Sequence, residues 1–251
     1  MREMFNLLIA VGVGFLVAVA IKLAGFSLIA GIIPGTFVMI GVFIYLGRRT
    51  FLQLQAVMTQ VQAELSSMTA NPKEQKVKAD KAVKMLESAL PLGRWQFLVE
   101  SEVHGQIGTI KYLFKDHDGA LDAFKKTNGR NYIAKAMQGA IWFQRKQYPE
   151  MEACFEEAVK NGKKEGLMWA AYAWCLTQNK ESDKALSVLS RGVAINPSDE
   201  KLKKALTDLQ NDKRLKMKAW EPMWWQLGLE TPPQPQAQFA GGGRRARFMR
   251  R

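Results

Sequence analysis

The chain has 251 residues, 47% of them hydrophobic, and a formal net charge of +13. Two cysteines are too few for a disulfide framework, and two histidines without a second ligand at helical spacing exclude an HExxH-type metal site. Only +1 of the charge lies before Gly47 (Arg2, Glu3, Lys22), so the excess belongs to the chain beyond residue 47 and favours anionic partners.

Residues 5–46 read FNLLIAVGVGFLVAVAIKLAGFSLIAGIIPGTFVMIGVFIYL, with Lys22 the only charge. A soluble fold has no use for 42 residues without a polar face. A bilayer core of ~30 Å is crossed by about 20 apolar residues as a helix at ~1.5 Å each. The stretch predicts two spans, residues 5–24 and 28–46, joined by a turn at Gly25-Phe26-Ser27. A signal peptide would have a positive start and a shorter apolar run, whereas MREMFN carries no net side-chain charge. Pro34 predicts a kink or a short re-entrant start to the second span. Gly31 and Gly35 form a small-xxx-small pair, suited to close packing on the first span or on another subunit. Arg48 and Arg49 border the second span, and Lys22 can snorkel to a headgroup. The positive-inside bias then puts both termini and everything after residue 47 on the cytoplasmic side. The plain architecture and the lack of a targeting extension suggest a bacterial inner membrane.

In residues 48–71, apolar side chains recur at Phe51, Leu54, Val57, Met58, Val61 and Leu65, a helical period. This predicts the second span continuing outward as an amphipathic juxtamembrane helix. Asn71-Pro72 breaks it and opens a helical domain over residues 72–218. No stretch alternates with period two, so no sheet is expected.

Three segments repeat a theme: DHDGALDAFKKT at 116–127, QYPEMEACFEEAVKNG at 147–162 and ESDKALSVLSRGVAINP at 181–197. Each is a polar turn followed by a helix of small and bulky apolar residues. Each is preceded by a helix with small residues in its middle: GQIGTIKYLF at 105–114, KAMQGAIWFQR at 135–145 and LMWAAYAWCL at 167–176. Phe155 and Leu189 stand 34 residues apart.

The pattern resembles the tetratricopeptide repeat family, a helix pair of about 34 residues with a bulky residue early, a small one mid-helix and a closing proline. The last unit, 166–199, matches best, with Trp169, Ala173, Ala185, Leu189 and Asn196-Pro197. The unit at 132–165 supplies Gly139, Trp142, Tyr148, Phe155 and Ala158 without the proline, and a shorter one at 101–131 supplies Gly108, Ala120 and Phe124. Residues 78–94 read as the second helix of a degenerate unit. The resemblance covers about residues 75–212 and implies an α-solenoid in which small residues such as Gly108, Gly139 and Ala173 let paired helices approach. It also implies a groove lined by the first helix of each pair. Tyr112, Phe143 and Trp174 would face a protein partner there, with Thr109, Ala140 and Gln144 beside them. The alternative is burial of these aromatics between repeats.

Catalytic signatures are missing: there is no GxxxxGK[ST], no GxSxG and no Cys-x-x-Cys. His117, in the turn KDHDG, reads as a solvated side chain, and Cys154 and Cys175 as small buried hydrophobes. No enzyme and no cofactor is expected. Residues 199–218 read as a polar-faced capping helix with a lysine and arginine cluster. Trp220, Trp224 and Trp225 come next, suited to packing back on the cap or to a bilayer interface. A Pro/Gln/Gly linker is expected to be disordered, and the chain ends RRARFMRR. The tail arginines Arg244, Arg245, Arg247, Arg250 and Arg251 suit anionic lipid or an acidic protein surface ahead of nucleic acid.

The sequence therefore predicts an all-α protein: a transmembrane helical hairpin (1–47), a juxtamembrane helix (48–71), a tetratricopeptide-like α-solenoid (72–218), and a Trp-rich segment with linker and disordered basic tail (219–251). Its expected role is a membrane-anchored scaffold that assembles a protein complex. The alternatives are a structural subunit of a larger membrane machine, or a membrane tether binding nucleic acid or a ribosome through the tail. The sequence leaves the oligomeric state open.

Overall fold

A computed structural model describes residues 5–67, 71–96 and 98–231, the side chain of Leu28 excepted. Among the described residues the chain is helical, with no strand. Helices α1 (Phe5–Leu23) and α2 (Leu28–Ser66) form an antiparallel hairpin, and both are long and apolar enough to cross a membrane. The most apolar windows of the two helices are only 17% and 11% buried, so most of their side chains face outward rather than into a protein core. Glycine sets the spacing between them. A Cβ on Gly35 would stand 2.7 Å from the Gly14 carbonyl oxygen, and one on Gly31 would stand 2.7 Å from that of Ala18. Gly31 and Gly35 thus face the partner helix of their own hairpin. Pro34 lies inside α2, which passes through it as one continuous helix rather than re-entering.

The open end of the hairpin is polar. Asn6, buried in α1, donates from Nδ2 to Thr50 Oγ1 at 3.1 Å and to Gln96 Oε1 at 3.3 Å. Its backbone N–H donates to the Trp95 carbonyl, and the rings of Phe5 and Trp95 meet at 5.3 Å. These contacts fasten the hairpin to the 3-10 turn Leu90–Arg94 and the residues just after it.

Beyond Arg49, α2 runs on as the expected amphipathic helix. Leu54 and Val61 are buried, and Val57, Met58 and Leu65 partly so, against Ala79, Ala82 and Leu86 of α3 (Pro72–Glu87). Phe51 was expected in this stripe but stays 60% exposed. Asn71 caps α3 by accepting from Lys73 N, with Pro72 at the first helical position. The segment 78–94, expected as the second helix of a degenerate unit, is instead the end of α3 followed by the 3-10 turn Leu90–Arg94, and α3 packs on the outer half of α2.

Helix pairs succeed one another in order: α4 (Val99–Leu113) with α5 (His117–Phe124), α6 (Tyr132–Gln144) with α7 (Tyr148–Asn161), and α8 (Gly166–Gln178) with α9 (Ser182–Ile195). Each of the first two pairs closes on an aromatic ring seated over a glycine. A Cβ on Gly108 would fall 2.5 Å from Phe124, and one on Gly139 would fall 2.7 Å from Phe155. The tight turns share a device. Lys115, Lys146 and Lys180 each take a left-handed φ (63°, 59°, 64°), and the next N–H reaches back to Lys111, Trp142 and Leu176 respectively.

Helix α10 (Glu200–Gln210) ends eight residues before the expected limit of the cap, because Asp212 turns left-handed at φ 54°. The chain then returns through a second 3-10 turn (Met217–Trp220) and the short α11 (Met223–Gln226). The core forms two buried clusters, one built on α2, α3 and α4, the other running from Tyr112 to Leu227.

The ring-over-glycine contact gives a direct test. Gly139→Ala places a methyl group against the buried Phe155 ring and is expected to destabilise by about 1–3 kcal/mol. Gly41→Ala meets open space and is expected to be neutral or mildly stabilising. Thermal unfolding of both variants followed by circular dichroism checks the contrast.

Candidate functional site

The candidate face is made by the first helix of each pair: α4, α6 and α8. Their polar turns and Asn131, which accepts from Ala134 N at 3.0 Å, fix where each helix starts. Successive pairs then bring one edge of each first helix into line. Phe143 and Trp174 meet edge to face at 5.7 Å, Phe143 also touches Tyr148 at 6.4 Å, and Tyr112 lies along the same face.

This face is not open. The returning segment 217–230 lies across it. Trp224 is fully buried and packs edge to face on Trp174 at 5.2 Å. Its indole Nε1 donates to Glu230 Oε2 at 2.8 Å. The Tyr112 hydroxyl donates to the Leu227 carbonyl, and Gln144 Nε2 donates to the Gly228 carbonyl at 3.0 Å. The segment therefore passes α8 first and reaches α6 and α4 afterwards. Gly228 has φ 56°, and its α-carbon approaches the Tyr112 hydroxyl so closely that a Cβ would lie 3.1 Å away. Met217 and Leu227 are buried with Trp224, while Trp220 and Trp225 pack at the margin.

The sequence-predicted residues divide accordingly. Tyr112, Phe143, Trp174 and Gln144 share the face, but Tyr112 and Trp174 are only 5% and 7% exposed beneath the chain's own segment. Thr109 turns its hydroxyl back to the Gly105 carbonyl at 2.9 Å and touches Met137 Sδ at 3.8 Å. Ala140 has no exposed surface. Both belong to the packing of α4 and α6 rather than to a contact surface. His117, expected in solvent, stacks on Tyr112 at 5.7 Å, because its place at the start of α5 carries the ring over α4. Residues 244–251, with Arg244, Arg245, Arg247, Arg250 and Arg251, lie outside the described residues.

The sequence singled out Trp220, Trp224 and Trp225 as packing on the cap or at a bilayer interface, whereas Trp224 packs on Trp174 of α8; the residues it missed are Leu227 and Gly228. Their signal is the run MWWQLGL at 223–229, too apolar to remain in water and too short to form a core helix.

Burial governs the electrostatics here. It pushes the Tyr112 phenol far above its usual range, with the nearby Cys175 adding to the shift, while the hydrogen bond from Gln144 opposes it. The hydroxyl is therefore a fixed donor. Burial also raises Cys154 to about 11, and it raises Cys175 well above the ordinary thiol value. Neither thiol is a nucleophile at neutral pH. Among the described residues, no group of three or more His, Cys, Asp or Glu side chains is placed to hold a metal ion. What the face can do chemically is bind a turn-rich apolar segment, through aromatic packing and through Tyr112 and Gln144 donating to the segment's backbone carbonyls.

Comparisons with known proteins found no family model, no curated protein and no solved structure that matches the chain.

Trp224→Ala removes the largest buried anchor of the segment and is expected to cost about 3–5 kcal/mol locally. The measurable result is faster hydrogen exchange and proteolysis across 217–230, with α4 to α9 still folded. The thiols give a pH test. A folded-state pKa raised from 9.0 to about 11 means that Cys154 binds its proton more tightly in the folded state than in the unfolded one. Its contribution to stability is complete below pH 9 and is lost as the pH rises through 11. Its alkylation is expected to be slow at pH 8 and to accelerate toward pH 11, whereas Cys175 reacts only on unfolding, as mass spectrometry of labelled peptides will report.

Proposed function

We propose that the chain is a membrane-anchored adaptor. Its apolar hairpin would sit in the bilayer, and its helix pairs, arranged as a tetratricopeptide-like α-solenoid on the cytoplasmic side, would present the α4–α6–α8 face to a protein partner. The observation that carries this reading is the occupied face: three first helices hold a tryptophan-anchored segment through Tyr112, Trp174 and Gln144. A face that accepts one such segment is built to accept another of the same chemistry, an apolar stretch with a tryptophan or leucine anchor and free backbone carbonyls. Partner binding would then proceed by exchange with residues 217–230. Arg48 and Arg49 at the end of the apolar part of α2 support the cytoplasmic placement.

The test separates exchange from a permanent strap. A chain ended after Arg214 is expected to bind a labelled peptide spanning 215–231, and the full-length chain is expected to bind it at least tenfold more weakly. Tyr112→Ala/Phe143→Ala/Trp174→Ala in the shortened chain should abolish binding, with circular dichroism reporting that it remains helical. A folded, shortened chain that ignores the peptide would sink the exchange reading. In that case the segment is a structural strap, and the alternative of a subunit in a larger membrane machine gains. A fixed large assembly in mild detergent would favour that alternative, and a stable monomer the adaptor.

A further inference from the structure

The inter-pair loops of the helical domain form a continuous edge that starts at the polar end of the hairpin. Trp95 and Gln96 stand there, tied to Asn6. From that level α4 begins, and each later pair leaves and returns. Ser101 Oγ accepts from Asn128 N at 2.7 Å, Asn161 Nδ2 donates to the Gly129 carbonyl at 2.5 Å, and Asn196 Nδ2 donates to the Lys163 carbonyl at 2.7 Å. The last two bonds repeat one device a unit apart and link the loop at 125–131 to those at 160–165 and 196–199 along one side of the domain.

Charge is sorted between the two edges. The loops 125–131, 160–165 and 196–199 carry six cations and two carboxylates, whereas the opposite turns at 114–118, 145–148 and 179–183 carry four of each. On the loop edge, Lys126, Arg130, Lys160, Lys163 and Lys164 are all exposed. Among the described residues none of these five pairs with a carboxylate, while Lys125 has Asp122 at 3.2 Å. Arg130 and Lys160 border two adjoining clefts, one reaching Ser101 and Glu157, whose carboxylate is paired with Lys135, and the other reaching Lys163, Lys164 and Glu165. Nearer the hairpin, Trp95 and Leu98 leave about two-fifths of their surface in solvent (43% and 41%), beside the exposed Arg94.

We infer that this edge rests on the bilayer and binds the phosphate groups of anionic lipids. The inference relies on the membrane anchor proposed above. If the hairpin crosses the bilayer, Asn6 and Thr50 mark the level where apolar chain gives way to headgroups. The edge leaves that level directly, so its cations stand where anionic headgroups stand, and Trp95 has the amphipathic ring favoured at such an interface. The opposite, electrically balanced edge faces away. This site is separate from the arginine tail, and it would orient the α4–α6–α8 face relative to the membrane instead of leaving the domain to swing on α2.

The experiment uses the full-length chain in nanodiscs, either of phosphatidylcholine alone or with phosphatidylglycerol added. Lysine acylation is read residue by residue by mass spectrometry. Lys126, Lys160, Lys163 and Lys164 are expected to react several-fold more slowly when phosphatidylglycerol is present, Lys146 and Lys180 to be unchanged, and the difference to shrink in high salt. Equal rates in the two kinds of disc, or equal slowing at both edges, overturns the inference. The same protection in a chain ended after Thr231 supports it, and loss of protection there assigns the effect to the tail and overturns it. Slowing produced in neutral discs by inorganic phosphate or by an RNA oligonucleotide identifies a soluble ligand and also overturns it. Carbonate-resistant co-flotation with neutral vesicles reports the anchor separately. A chain that floats but shows no lipid-dependent protection overturns the edge alone, and a chain that does not float overturns both readings.

Discussion

Helix α2 belongs to two surroundings at once, and the rest of the chain is arranged around that constraint. It is one helix of 39 residues, about 58 Å of nearly rigid rod. Its inner half is spaced from α1 by glycine, and its outer half supplies Leu54 and Val61 to the core it shares with α3 and α4. Because α3 runs back along it, the chain returns to the level of Asn6 before α4 begins. The hydrogen bonds of Asn6 to Thr50 and Gln96 fix that level. A buried amide left without partners costs about 1–3 kcal/mol. Asn6 therefore penalises any arrangement in which the hairpin slides or rotates against residues 95–96, whatever its own net contribution.

Past α4, cohesion comes from a small residue facing a large one. No single helix pair here buries its own apolar face; Phe124 and Phe155 are closed over by Gly108 and Gly139 and then covered by the next pair. In the third pair, Ala173 and Leu189 are both fully buried at the corresponding positions. The third pair also seats a ring over a glycine, Trp169 of α8 against Gly192 of α9, and Trp224 covers α8 at Trp174. Residues 217–230 thus complete the core of the last pair as well as occupying its face, and the two roles are inseparable in Trp224.

The sequence made the all-helical character, the two long apolar helices and the pairs at 31- to 34-residue spacing legible, because each depends on a local period that composition reveals: an unbroken apolar run, or a small residue with a bulky one a fixed distance on. It also named Tyr112, Phe143, Trp174 and Gln144 as neighbours, through the repeat that aligns them. The covering of those residues was not legible. Tyr112 meets Leu227 across 115 positions, and no period joins a helix to a single irregular pass of chain. The helix-ending lysines were invisible for a different reason. Left-handed backbone is usually signalled by glycine, and here the turn geometry imposes it on Lys115, Lys146 and Lys180. Phe51 fitted the helical period of its stripe but faces away, since α3 covers a narrower strip of α2 than the period allows.

On the adaptor reading, an occupied face sets a strict condition on any partner. A segment joined to α10 by about six residues competes at an effective concentration of ~mM, so a free partner of equal intrinsic affinity loses at ordinary cellular concentrations. Two physical routes meet the condition. The partner's segment can gain contacts on the α4–α6–α8 face that 217–230 lacks. Alternatively the partner can be confined to the same membrane, which raises its local concentration toward that of the tethered segment. The second route comes from the hairpin itself. Anchoring the face beside a bilayer favours partners that are anchored there too, and the resident segment suppresses binding to those that are not.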